Sequence, residues 1–120
     1  MSFPPDNARS WSQIVAHYEG FLDQPWAVAM HRLTTFLDTR GYVEAGLHGT
    51  TSMADLLLGR ASDVLNNPRI RIQPTAANIR IAYEDGSPEP WAIEVGFDEL
   101  CDRVERVLVK RARWFKIAGT

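Results

Sequence analysis

Alternation of apolar and polar positions is cleanest across residues 68–96. Arg69, Ile70, Arg71, Ile72 and Gln73 alternate without a break, and residues 78–83 and 91–95 follow the same pattern. A period of two places successive side chains on opposite faces of a half-buried strand. The runs therefore predict three strands with Ile70, Ile72, Ile79, Ile81, Tyr83, Trp91, Ile93 and Val95 on one buried face. Arg69, Arg71, Arg80 and Glu94 share the opposite face with Ala82 and Ala92. Short connections rich in turn residues, at 74–77 and 84–90, favour antiparallel pairing. A sheet apolar on one side needs helices on that side only, leaving an open polar face.

The period changes to that of a helix on either side of this block. Residues 1–9 show no periodicity and read as an arm, frayed or ordered. Ser10 and Gln13 fit a capping box opening a first helix, whose apolar face is Trp11, Ile14, Val15, Tyr18, Phe21 and Leu22. Pro25 suits the first turn of a second helix capped by Asp23 or Gln24, with Trp26, Ala29, Met30, Leu33 and Leu37 inward and Gly41 as its stop. Residues 42–47 read either as a fourth, edge strand or as a connector. Ser52 to Asp55 resembles another cap, and Met53, Leu56, Leu57, Ala61, Val64 and Leu65 predict a third amphipathic helix ended at Pro68. Asp98 is the expected cap of a long last helix with Leu100, Val104, Val107, Leu108 and Phe115 on one side, where the stem of Arg111 snorkels. The predicted fold is α+β: one domain over residues 1–120, order ααα-βββ-α, with a three-stranded antiparallel sheet (four if 42–47 pairs) and helices on one face.

Composition narrows the chemistry. The 120 residues carry 13 basic and 15 acidic side chains, a formal net charge of −2, so nothing draws the whole chain to nucleic acid or anionic lipid. Cys101 is the sole cysteine, which excludes an intrachain disulfide and cysteine-pair metal motifs. No signal-like start and no apolar run of transmembrane length is present, so the expected setting is cytoplasmic, with no membrane partner. His17 and His31 lie off their helices' apolar faces without a second ligand at metal spacing, and no serine sits in a nucleophile elbow. Cys101 reads as a packing residue, because Asp98, Glu99 and Asp102 around it oppose a lowered thiol pKa. No catalytic residue, metal or cofactor is called for.

Three surfaces remain. On the polar sheet face, Arg69, Arg71 and Arg80, with Glu94 and the acidic pair Glu84 and Asp85, form a charged patch able to hold carboxylates or phosphates bidentately, on a partner's acidic surface or an anionic small molecule. At the expected start of the third helix, His48, Gly49, Thr50, Thr51 and Ser52 offer an anion a hydroxyl-rich turn and a positive helix end, without a phosphate-loop glycine pattern. Along the last helix, Arg103, Arg106, Lys110 and Arg113 make a basic stripe beside Trp114. Acids in its first half and bases in its second suit the helix dipole, and Glu99–Arg103 and Asp102–Arg106 have favourable spacing, so helix stability accounts for most of that stripe.

The expected function is a small non-enzymatic protein-binding domain working through the charged sheet face: an inhibitor, an immunity-type neutraliser of a bacterial toxin, or a regulatory adaptor. Its partner is another protein, with self-association through the sheet as an alternative. A small enzyme or anion-binding module using the turn at 48–52 is the second reading. Nucleic-acid binding by the last helix is the third, and the acidic total argues against it.

Overall fold

A computed structural model describes residues 7–66 and 68–116. Helix α1 spans Trp11–Glu19 and α2 spans Pro25–Thr39. Five strands follow: β1 His48–Ser52, β2 Asp55–Gly59, β3 Arg69–Pro74, β4 Ile79–Glu84 and β5 Trp91–Val95. They form one antiparallel sheet in sequence order, so each strand pairs with its chain neighbour. The last helical segment begins with a 3₁₀ turn, Phe97–Glu99, continues as α3, Leu100–Arg106, and widens into a π turn, Val107–Arg111. The architecture is α+β, with order αα-βββββ-α.

The three predicted strands stand where alternation places them. Ile72 faces Ile81, which faces Ile93, and Ile70, Tyr83 and Trp91 share the neighbouring row. Ile70, Ile72, Ile79, Ile81 and Val95 join Ile14 and Tyr18 of α1, Met30, Leu33 and Leu37 of α2, and Leu100, Val104 and Leu108 in one buried cluster. The Ser10–Gln13 capping box forms, with Ser10 Oγ accepting from Gln13 N–H at 3.3 Å. Pro25 opens α2, but Gln24 caps it without a side-chain bond. Gly41, at φ +89°, supplies the left-handed residue that ends it. The Trp11 indole N–H donates to Thr34 O at 2.9 Å and the Tyr18 hydroxyl to Ala54 O at 3.0 Å, tying α1 to α2 and to the β1–β2 hairpin.

The predicted third helix does not form. Residues 55–59 are β2, and residues 53 and 54 are the tight turn of its hairpin with β1, with Met53 in the left-handed region at φ +58°. Leucine runs are good helix formers, and the spacing of residues 53–65 also suited a helix. Leu56, Leu57 and Leu58 are instead consecutive buried strand residues. Leu56 and Leu58 enter the main core, and Leu57 points to the other face. A strand buried on both faces carries no alternation for the eye to find. Of the two readings for residues 42–47, the connector holds. Ala45 N–H bonds Gly41 O at 3.0 Å and Leu47 N–H bonds Tyr42 O at 2.9 Å, with Gly46 at φ +110°.

The outer face of the sheet is also not simply open to water. Leu57 and Ala82, 1% and 0% exposed, flank Arg71 in one cross-strand row. Residues 60–66 fold over the β2 end of this face, where a Cβ added at Gly59 would lie only 2.9 Å from Val64 Cγ1. Part of the predicted arm holds this loop: Asn7 Oδ1 accepts from Val64 and Leu65 N–H at 2.7 and 3.1 Å. Residues 1–6 of the arm lie outside the described residues. Among those described, no helix is long and apolar enough to cross a membrane.

Candidate functional site

The arginines of the sheet are brought together as their register requires, and acids of the same chain meet two of them. Arg69 Nε donates to Glu84 Oε1 at 2.7 Å, and its Nη1 donates to Leu65 O. Arg71 Nε shares the same Glu84 oxygen at 3.3 Å, while its Nη1 reaches Asp55 Oδ2 at 2.8 Å. Side-chain exposure of 17% for Arg69, 25% for Arg71 and 22% for Glu84 shows these groups laid against the sheet. Burial raises the Glu84 pKa, but the Arg69 hydrogen bond and the Arg71 charge outweigh it and hold the carboxyl below the usual range. Glu84 thus belongs to β4, not to the following loop. Asp85 stays in the turn, exposed, where the Ser87 side chain, and then the Ser87 N–H that bonds its Oδ1 at 3.0 Å, hold its carboxyl low. Arg80 faces Glu94 on β5 and Gln73 on β3 in register and forms no ion pair among the described residues. Asp55, read from sequence as part of the helix-capping stretch Ser52 to Asp55, is the missed member of this network.

The second candidate loses the feature that recommended it. His48, Gly49, Thr50, Thr51 and Ser52 are strand β1, with no helix following, so no positive helix end faces an anion there. Gly49 is needed for packing: a Cβ would lie 3.0 Å from the Trp11 ring and 3.1 Å from Ile14 Cδ1. Thr50 is buried opposite Leu57. Among the described residues, no buried side-chain nitrogen or oxygen lacks a hydrogen-bond partner.

The third candidate gains one. Arg103, Arg106 and Lys110 stand with Arg111 around a cleft of about 170 Å³ between β5 and the last helical segment. Its apolar lining is Trp91 and Ile93 of β5 and Val107. Arg111 lies over the Trp91 ring, 4.4 Å from its centroid. None of the four cations forms an ion pair among the described residues, so neither expected helical pair, Glu99–Arg103 or Asp102–Arg106, closes. Glu105, on the same helix, lines a neighbouring cleft with Asp102, Arg106 and Lys110, but its carboxylate is bonded elsewhere. It accepts from Arg40 Nε at 3.0 Å and from the Tyr42 hydroxyl at 2.7 Å. Burial followed by that bond pushes the Tyr42 phenol up to about 12. The stripe ends sooner than its spacing implied. Ala112 N–H bonds Val107 O, and Trp114 N–H reaches back to Leu108 O at 2.9 Å. Arg113, at φ +59°, turns the chain, so it does not join the cleft, and Trp114 packs edge-on against Tyr83.

The remaining titratable groups do not converge. His17 Nε2 lies 2.7 Å from Met53 O, and His31 Nε2 lies 3.3 Å from Glu19 Oε1. Cys101 is half-buried, and burial pushes its thiol up. Among the described residues no group of three His, Cys, Asp or Glu is placed to hold a metal. The chain matches no family model, no curated protein and no solved structure at a significant level.

Proposed function

We propose that this chain is a non-enzymatic protein-binding domain whose contact surface is the basic cleft beside β5, and whose partner presents acidic side chains. One observation carries the reading. Arg103, Arg106, Lys110 and Arg111 surround an apolar floor, and among the described residues no acid is paired to any of them, whereas Arg40, Arg69 and Arg71 each hold one. Guanidinium groups at the edge of an apolar pocket bind carboxylates with directional, charge-assisted hydrogen bonds. Trp and Arg together are the residue types that dominate protein interfaces. An inhibitor, an immunity-type toxin neutraliser and a regulatory adaptor all act through such a surface. On the sheet face, Arg80 and Glu94 remain to extend the contact, because Arg69, Arg71 and Glu84 already satisfy one another.

Nucleic acid is the weaker reading of the same cations. Non-specific strand binding uses free aromatic faces for base stacking and a basic track along the backbone. Here Trp91 is already covered by Arg111, and Asp98, Glu99, Asp102 and Glu94 lie close by in the chain or on β5.

The test is capture of partners from lysate of the source cell with the tagged domain and with Arg106→Glu/Lys110→Glu. A stoichiometric protein that the double reversal releases, and that Arg80→Glu weakens less, supports the assignment. Capture unchanged by the double reversal, or no partner for the folded domain, overturns it.

A further inference from the structure

The sheet has two edge strands, and they differ in what covers them. On β1, the arm makes one backbone contact, Arg9 N–H to Gly49 O at 2.8 Å, while Ala8 N–H is held by Ser62 O of the neighbouring loop at 2.9 Å. On β5, the only strand partner is β4, and no hydrogen bond from any other described residue reaches the backbone of residues 91–95. An edge strand leaves every second residue's N–H and C=O turned outward, a template for another strand. β5 is short and carries Glu94, but no lysine, proline or bulge interrupts Trp91–Val95.

That free edge borders the basic cleft, since Trp91 and Ile93 belong to both. We propose that β5 accepts an extended acidic segment of a partner protein, added as a further strand of the sheet. The segment's inward side chains meet Arg103, Arg106 and Lys110. This rests on the reading of the cleft as the site for an acidic protein, and adds how the partner is held.

Strand periodicity then sets the partner's sequence pattern. Side chains of the added strand alternate between the helix side, where cations wait, and the outer side, where Glu94 is exposed. Acids are favoured at every second position and disfavoured between. A second copy of this chain is the poorer occupant. A two-fold β5–β5 pairing presents each basic cleft to the other copy's, with no acid paired to either.

The probe is a fluorescein-labelled peptide of about eight residues, an ordinary strand length, in which Glu and Thr alternate. Two further versions carry N-methyl groups on the Glu amides or on the Thr amides. They keep the charge but remove alternate donors and obstruct one edge of the peptide. Fluorescence anisotropy is expected to show binding of the parent peptide, lost by at least about tenfold in one methylated series and retained in the other. Arg106→Glu/Lys110→Glu should abolish it. A block peptide, with the Glu residues together and then the Thr residues, should bind more weakly.

Equal binding of all three peptides, still abolished by the double reversal, overturns strand addition while leaving the acidic-partner reading intact. No parent binding by a domain whose captured partner is still lost on double reversal has the same consequence. A labelled oligothymidine that binds through the same cations overturns both readings. A dimer in sedimentation that Ile93→Pro dissociates, with Ile93→Thr as the folding control, assigns the edge to a second copy and overturns the proposal.

Discussion

The sheet face and the last helix carry similar numbers of arginines, yet their charges do different work. On β3, Arg69 and Arg71 share one oxygen of Glu84, and Arg71 also holds Asp55 across two strands. Those guanidinium groups are half-buried and satisfied within the fold. Around the cleft, Arg106, Lys110 and Arg111 are exposed, and among the described residues neither they nor Arg103 is paired with an acid. Glu105 lines a neighbouring cleft with Arg106 and Lys110, but its carboxylate is bonded to Arg40 and Tyr42. A cation already hydrogen-bonded to a carboxylate must break that contact before it grips a ligand. An unpaired one at the rim of an apolar pocket gives up only water. The arginines of β3 therefore brace the fold, and the cations of the last helix are the ones left without an ion pair among the described residues.

The sharpest way to break this comparison is to remove the shared acid. Glu84→Ala strands Arg69 and Arg71 against the sheet and is expected to destabilise the fold by about 2 kcal/mol, read as a shift in the urea midpoint. Arg106→Gln/Lys110→Gln, tested the same way, should move stability by no more than about 0.5 kcal/mol. Equal losses from the two would remove the distinction between brace and binding surface.

A smaller effect is expected on acidification. Glu84 and Glu105 both ionise below the ordinary glutamate range, because bonds from Arg69 and from Arg40 and Tyr42 outweigh the opposing effect of burial. A carboxyl depressed in the folded state stabilises it fully above the unfolded-state value, about 4.3, and loses that contribution as pH falls through the folded-state value. Stability should thus be level near neutrality with respect to these two groups and fall below about pH 4.5. Glu84→Gln should flatten part of that fall, and the cleft variants should leave it unchanged. An acid limb identical in Glu84→Gln and the parent chain would show that Glu84 is not coupled to folding.

The smallest expected effect lies in the cleft. Arg111→Ala loses the stacking on Trp91 and should cost about 0.5–1 kcal/mol in thermal or urea melts. A loss as large as that of Glu84→Ala would make Arg111 a structural residue and reduce the set of cations available to a partner.

The legibility of the chain followed the burial of each segment. Residues 69–73, 79–83 and 91–95 alternate, so their pairing and inward-facing sets were readable, although inward-facing Tyr83, Trp91 and Ile93 are half-buried and outward-facing Ala82 is buried. The α1 cap and the Gly41 stop were readable because capping is a contest among neighbouring residues. Leu56, Leu57 and Leu58 were not, since both faces of β2 are buried there, the outer one beside the loop at 60–66. With β2 read as a helix, β1 became its opening turn and Ser52 to Asp55 its capping stretch. One misread segment thereby produced the anion-site expectation at His48 to Ser52 and concealed Arg71's partner. The basic stripe was visible as Arg103, Arg106 and Lys110. Its apolar floor was not, since Trp91 and Ile93 are contributed by a strand only where the last helix packs back beside it.

Local patterning was enough to establish an α+β chain, the two N-terminal helices, the three central strands and their buried face. Those features depend on periodicity and on contests within a few residues, which any short window of the chain contains. Which acid meets which arginine, which sheet edge is covered and which cations stay unpaired depend on contacts between distant segments. The arm against β1, Asp55 beneath Arg71 and Glu105 turned towards Arg40 are all settled by how the layers close on one another. Charge is written residue by residue, but its availability to a partner is decided only when the fold has used what it needs.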